Sequence, residues 1–399
     1  MGEGVRGHCP LAPSPNNHSQ AMKIAVLRQR PGGMGGAEAT LGHLVRGFAA
    51  AGHEVTVYGA GASPTSQEAL GYGIGYVPVP VWGGKTGRAL TYALNTGRIL
   101  RTAGPQVVFS LDRTLHQDVY RAGDGCHREW LARRAPFLSP AARAFQPITP
   151  FHRAMLWLEA RLFADPGLLR VIANSRQVQD EIIRHFQVDP AKIRVIYNGL
   201  DHGKFRPLPA GSRQALKEQL GAAANAKIIL FVGSGFRRKG LAYLIEAFGG
   251  LKDRRSLLWV VGKGSAAPYL KLAARIGVGD LVRFWGPQAD TAPFYQAAAV
   301  LALPTLYDPC SNVVLEALGC GCPVVTTAAN GAREFIDPGE NGAVLSQPND
   351  TGGLRQALEA FTEQSQDPRV RQAAAEAVAD LDWRHTVSRT LEVLEEAAG

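Results

Sequence analysis

The chain has 399 residues, 46% of them apolar, enough for two or three domains each with a core of its own. Its formal net charge is +9, and the whole surplus lies in residues 1–200, which carry 22 Lys/Arg against 13 Asp/Glu, while residues 201–399 carry 21 of each. No run of about eighteen apolar residues occurs, which excludes a membrane-spanning helix, and five scattered cysteines without metal-site spacing or an even disulfide framework suit a reducing cytosol.

Residues 1–21, MGEGVRGHCPLAPSPNNHSQA, are rich in Pro, Gly and Asn and lack the apolar core of a signal peptide; they read as a disordered extension. MKIAVL, Met22 to Leu27, reads as a buried strand. It runs into the glycine turn RPGGMGG and then a helix in which Ala37, Leu41, Leu44, Val45 and Phe48 recur at helical spacing. GHEVTVYG supplies the next strand and completes a βαβ unit. Apolar runs at VPVPV, VVFS and RVIAN follow, and then a turn-rich passage over residues 189–208. After it the pattern restarts with the strand KIILFVG, a basic turn and the helix LAYLIEAF. LLWVVG, LVRFWG, VLALP and PVVTT continue it, with helices near 268–276 and 291–299 and a third opening from DPCSNVVLEALG. Strands alternating with helices of this length indicate parallel sheets with both faces covered. The last 30 residues are helical with a broken period and would pack back on the first domain.

Open parallel sheets bind ligands at the carboxyl ends of their strands, so the loops after strands carry the functional information. Three stand out. GGMGGAEA, Gly32 to Ala39, lets backbone approach an anion at a helix start. Its GGxGG spacing matches neither a dinucleotide fingerprint nor a P-loop, so by itself it fits a phosphate site or a tight turn. GSGFRRKG, Gly233 to Gly240, places Arg237, Arg238 and Lys239 between a buried strand and a helix. Those cations suit phosphate oxygens, or else an ordinary solvated basic turn. DPCSNVVLE, Asp308 to Glu316, spaces two carboxylates across a loop–helix junction, where each would accept from neighbouring hydroxyls of a sugar ring. A glycosidase would also use two carboxylates, but it has no need of a basic loop and an anion cradle. Together the loops describe a nucleotide sugar.

These residues, with GGAE at 35–38, NSRQVQDEI from Asn174, VIYNGLD at 195–201, VGSGFRRKG at 232–240, the acid-x7-Glu helix at 308–316, NGAREFI from Asn330 and ENGAVL from Glu340, resemble the retaining nucleotide-sugar glycosyltransferases of family 4. Within that family the chain is similar to the enzymes that glucosylate the inner-core heptose of lipopolysaccharide. The resemblance implies an α/β fold of GT-B architecture, two Rossmann-like domains facing a cleft: an acceptor domain over 22–205, a donor domain over 206–370 and a helical segment over 371–399. It implies that Gly35 and Gly36 meet the donor diphosphate, that Arg238 and Lys239 neutralise it, that Glu316 holds the nucleotide ribose and that Asp308 contacts the transferred hexose. Asn198, Phe236, Arg237, Asn330 and Gly331 would line the donor site. On the acceptor side TLHQDVYRAGDG offers His116, Asp118 and Asp124, with Asp124 and a nearby His116 preferred. The chain departs from the family in having Asp308 where Glu is commoner and Ser234 where many members are basic.

No nucleophile stands beside the proposed sugar site, so a front-side transfer is expected, with protein cations in place of a metal and no other cofactor. The donor would be UDP-glucose, and the acceptor a glycan or lipid-linked glycan. The basic first half and the segment FHRAMLWLEARLF, Phe151 to Phe163, fit peripheral contact with an anionic inner-membrane face; the same segment serves equally as a core helix. Two rivals use the same features. A sugar-nucleotide epimerase would need no acceptor, and a nucleic-acid-binding protein would need an aromatic–basic platform that the sequence lacks.

Overall fold

β1 (Lys23–Leu27) has every residue after Lys23 buried, which a strand achieves only when both of its faces are covered. Its side chains alternate between two layers. Ile24 and Val26 pack with Leu41, Leu44 and Phe48 of the helix Gly36–Ala50, while Ala25 and Leu27 pack with Tyr92 and Leu100 of the helix Lys85–Ala103. β2 (Glu54–Ala60), β3 (Gly75–Val79), β4 (Val107–Ser110), β5 (Val119–Ala122), β6 (Arg170–Ala173) and β7 (Ile193–Val195) complete a sheet ordered β3-β2-β1-β4-β5-β6-β7, parallel throughout. This computed structural model describes residues 21–32, 35–61, 73–209, 211–253 and 255–399. The extension expected over 1–21 therefore lies, Ala21 apart, outside the described residues, as do Gly33 and Met34 of the first glycine loop.

The second sheet contains β8 (Lys227–Val232), β9 (Ser256–Val261), β10 (Val282–Gly286), β11 (Val300–Leu303), β12 (Val324–Thr327) and β13 (Gly342–Leu345). Their order is β10-β9-β8-β11-β12-β13, again all parallel. Its core is one continuous cluster, from Ile228 and Trp259 on the sheet to Leu244 and Leu354 on the flanking helices. The chain thus forms the two facing α/β domains, each built on a parallel sheet, that its pattern predicts.

The terminal segment resolves into two helices, Pro368–Glu376 and Trp383–Ala398. The second lies on the helix Gly36–Ala50: Leu391, Val393 and Leu394 join the first domain's core, and Trp383 stacks on His43 with ring centroids 4.2 Å apart. Polar ties also cross the domains. Tyr307 Oη donates to Glu181 at 2.6 Å and accepts from the Cys126 N–H at 3.0 Å, and Ser175 Oγ donates to the Pro309 carbonyl at 2.7 Å.

Candidate functional site

Both sheets reverse their strand order beside their own first strand. β1 lies between β2 and β4, and β8 between β9 and β11. At such a reversal the flanking loops diverge to opposite faces and leave a crevice at the strand ends. The loops that enter it are those after β1, β4 and β5 on one wall, and those after β8 and β11 on the other.

On the second wall the turn after β8 carries Arg238 and Lys239 toward the loop after β11. Lys239 Nζ donates to Asp308 Oδ2 at 3.0 Å and to Ser311 Oγ at 3.4 Å, and Arg238 Nη1 donates to the same Oδ2 at 3.2 Å and to the Tyr307 carbonyl at 2.7 Å. Burial by itself would raise the Asp308 carboxyl; the charges of Lys239 and Arg238 outweigh it and hold the group below its ordinary range. Two cations against one carboxylate leave a positive charge in surplus. Gly240 ends the turn at φ +77° with its α-carbon against the Pro304 carbonyl, a place where a side chain has neither the conformation nor the room. Ser311 precedes the helix Asn312–Gly319, yet its hydroxyl makes no capping bond and is left to face Lys239.

The first wall reaches the same helix start. A Cβ built on Gly36 would come within 3.0 Å of Asn312 Nδ2. Asn312 Oδ1 accepts from Asn198 Nδ2 at 2.6 Å, and Asn198 Oδ1 accepts from the buried Arg121 at 2.7 Å. Gly36 and Lys239, from opposite domains, therefore meet neighbouring residues, Asn312 and Ser311. Asn198 acts as a strut between domains, with both ends of its amide occupied. Gly35 precedes the helix and is exposed.

The remaining expected residues fall in three places. Glu316 lies one turn into its helix, half-buried, and accepts from Tyr295 Oη at 2.7 Å; burial pushes its carboxyl up. Asn330 is wholly buried: its Oδ1 accepts from the Ser311 and Ala332 amides and its Nδ2 donates to Thr326, so it shapes the 308–311 loop from within. Gly331 packs its bare α-carbon on Pro309 and Ser175. Phe236 is buried edge-on to Phe231 and Tyr269, and with Arg237 it lines a cavity of about 500 Å³ between the domains, beside Arg238. Asp124 is half-exposed in the turn after β5, 3.8 Å from Arg28. His116 is not brought to that turn, since its ring packs on Gly97 of the helix Lys85–Ala103. Asp118 ties the start of β5 to β4, accepting from the Val108 amide at 2.7 Å.

Sequence reasoning missed the hub of the first wall. Arg28, the residue after β1, is buried and pairs with Asp112 at 3.2 Å, with Glu38 at 3.8 Å and with Asp124. Each of these follows a strand or opens a helix, and that position was the available signal. Among the described residues no group of three or more His, Cys, Asp or Glu is arranged to hold a metal ion.

Known proteins share this sequence pattern and fold. The profile described as Glycosyltransferase Family 4 matches residues 34–204, and that described as Glycosyl transferases group 1 matches residues 226–364. This chain belongs to the family-4 glycosyltransferases. The chain is 27% identical to the lipopolysaccharide glucosyltransferase WaaG of Escherichia coli K12 over 338 residues, 83% of this chain and 87% of that one. It is 32% identical to the D-inositol 3-phosphate glycosyltransferase of Streptomyces coelicolor over 249 residues, 56% of this chain and 54% of the relative, so that match spans about half of each. The chain also shares its fold with solved structures. WaaG superposes with a TM-score of 0.79 at 24% identity, covering 93% of this chain and 99% of that one. Anabaena HepE in complex with UDP and glucose superposes with a TM-score of 0.70 at 22% identity, covering 94% and 99%.

Proposed function

We propose that this glycosyltransferase moves glucose from UDP-glucose, with retention, to a glycan or glycolipid acceptor, the heptose of a lipopolysaccharide core. One observation carries the reading: the cationic turn at Arg238 and Lys239 and the glycine-led helix start at Gly36 meet at Ser311 and Asn312 from opposite walls. A diphosphate is the ligand that such walls serve, with backbone amides and a helix dipole on one side and two side-chain cations on the other. HepE, solved in complex with UDP-glucose, speaks for that donor, and the name of the E. coli relative speaks for the acceptor.

In this reading Glu316 accepts from the ribose hydroxyls. Asp308, whose Oδ2 is taken by the two cations, turns Oδ1 to the hexose. The acceptor enters from the wall of Asp124. Its hydroxyl oxygen bonds to the anomeric carbon on the face from which the diphosphate leaves, and its proton passes to a β-phosphate oxygen as the carbon–oxygen bond breaks. Arg238, Lys239 and the Gly35 and Gly36 amides stabilise the charge that builds on the departing group. Because protein cations supply that charge, the transfer needs no metal. The basic first domain brings the enzyme to an anionic membrane surface where a lipid-linked acceptor lies.

The test is thermal unfolding in EDTA with UDP, GDP or ADP, followed by the glucose, mannose and heptose forms of whichever base binds. UDP and UDP-glucose are expected to stabilise, by about 2.7 kcal/mol at a hundred times Kd. Selective stabilisation by another base, or stabilisation that appears only when magnesium is restored, would overturn the donor or the metal-free account respectively.

A further inference from the structure

The cavity between the domains contains charge beyond the Arg238, Lys239 and Ser311 cluster assigned to the diphosphate. One wall is Trp130, Arg134 and Phe137 of the first domain, and the other is Phe236, Arg237 and Tyr269 of the second. Arg238 lines it too, but its guanidinium is already bonded to Asp308. Arg134 and Arg237 have no such partner: among the described residues neither forms an ion pair with a carboxylate, and the two repel each other across the gap. Behind Arg134, among the described residues, only Lys85 adds to the imbalance. Lys85 lies over the Phe151 ring, 3.9 Å from its centroid, and His127 and His152 meet nitrogen to nitrogen at 3.0 Å. Burial, then Arg113, His152, Lys85 and Arg134, push His127 down to about 3; burial, Arg134 and Lys85 lower His152 as well. Burial first, and the neighbouring positive charge second, therefore disfavour the charged form of both rings.

Like charges facing each other across a domain boundary oppose its closure unless an anion comes between them. Guanidinium groups on opposite walls suit a phosphate, which accepts from two forks at once. The rest of the lining is aromatic and apolar, a surface for the C–H face of a sugar ring, and about 500 Å³ falls in the range of small-ligand sites. A bare anion would leave those rings uncovered, and a neutral sugar would leave without an anion both Arg237 and Arg134, whose guanidinium lies 5.7 Å from the Trp130 ring centroid. The cluster proposed for the donor diphosphate lies beyond Arg238, around Lys239 and Ser311.

We propose that this cavity binds a phosphorylated sugar, with its phosphate held between Arg134 and Arg237 and its ring against Trp130 and Tyr269. On the reading above, which this deepens, that sugar is the phosphate-bearing part of the acceptor.

The test is calorimetric titration of the full chain, saturated with UDP, using glucose 6-phosphate, glucose and inorganic phosphate as probes. Glucose 6-phosphate is expected to bind in the presence of UDP and more tightly than either of the other two. Arg134→Gln and Arg237→Gln are each expected to weaken it about tenfold or more, and Arg134→Lys to weaken it less. UDP affinity of Arg134→Gln should match the wild type, which also reports an intact fold. Competition between UDP and glucose 6-phosphate would make the cavity part of the donor site and overturn the proposal. So would unchanged binding in the Gln variants, or inorganic phosphate binding as tightly as the sugar phosphate. No arm of the test uses sugar transfer, so a protein that fails to transfer glucose yet binds the sugar phosphate counts against the donor reading alone.

Discussion

Lys239 exposes 7% of its surface, yet it keeps two oxygen partners, Asp308 at 3.0 Å and Ser311 at 3.4 Å. A cation so placed works in a low dielectric, where its effect on developing charge far exceeds that of a solvated lysine. Lys239→Ala is expected to lower kcat at saturating donor about a hundredfold, roughly 3 kcal/mol, as steady-state assays would measure. If the loss appeared mainly as altered salt dependence, Lys239 would be a rim charge. At this scale the residue types were legible in the sequence and their partners were not. GSGFRRKG and DPCSNVVLE announce cations and carboxylates, but the direct pairing of Asp308 with both cations joins positions 69 and 70 residues apart. Asn330 shows what a motif cannot reveal: its amide is bonded within the protein, to Ser311 of the loop that carries Asp308, to Ala332 and to Thr326.

Among the elements, helices with a clear period and strands with an apolar run were readable even at four residues, as β4 and β11 show, and strands interrupted by a charge were not. β5 is four residues with Arg121 inside it, and β7 is three residues. The fully buried Arg121 is tolerated only because Ile196 and Asn198 accept from it, so no local pattern reveals the strand. The helix Pro150–Ala164 settles into a mixed role. Ala154, Leu158 and Leu162 face the core, which answers the reading of a core helix, while Trp157 stays 43% exposed. Just before it, Phe145 and Ile148 expose 65% and 57%, with Arg143, Arg153 and Arg161 nearby in sequence. Such a basic and apolar strip suits the interface of an anionic bilayer. Wild type is expected to float with vesicles containing anionic lipid at low salt, and the combined Phe145→Ser, Ile148→Ser and Trp157→Ala variant to remain in the soluble fraction. Equal flotation of both would remove this strip as the contact.

For the whole molecule the informative group is Glu181, buried where the domains join. Its Oε2 accepts from Tyr307, the residue before Asp308, and its Oε1 has no hydrogen-bond partner among the described residues. Burial pushes its carboxyl up to about 7; the Tyr307 hydrogen bond opposes this, Glu129 reinforces it, and Arg133 and Arg184 oppose it. A raised folded-state value means that the native protein holds a proton which the unfolded chain has released. The contribution is complete below the ordinary 4.5 and is lost as pH rises through about 7. Wild type should therefore lose stability relative to Glu181→Gln between about pH 5 and about pH 8, by at most about 3 kcal/mol. Denaturant unfolding of both proteins at the two pH values checks this, and an unchanged difference would rule it out.

The order of strands and helices, the two-domain plan and the chemistry of the loops were decided within the sequence, because apolar period and turn composition act over a few neighbouring residues. Which loops face one another was decided only by tertiary structure. The strand reversals at β1 and β8 bring the loop ends together, and the docking of the domains then joins Gly36 to Asn312 and Tyr307 to Glu181 and sets Arg134 opposite Arg237 across the cleft. Contacts between residues so far apart depend on how whole sheets are ordered and packed, and no local window of the chain contains that information.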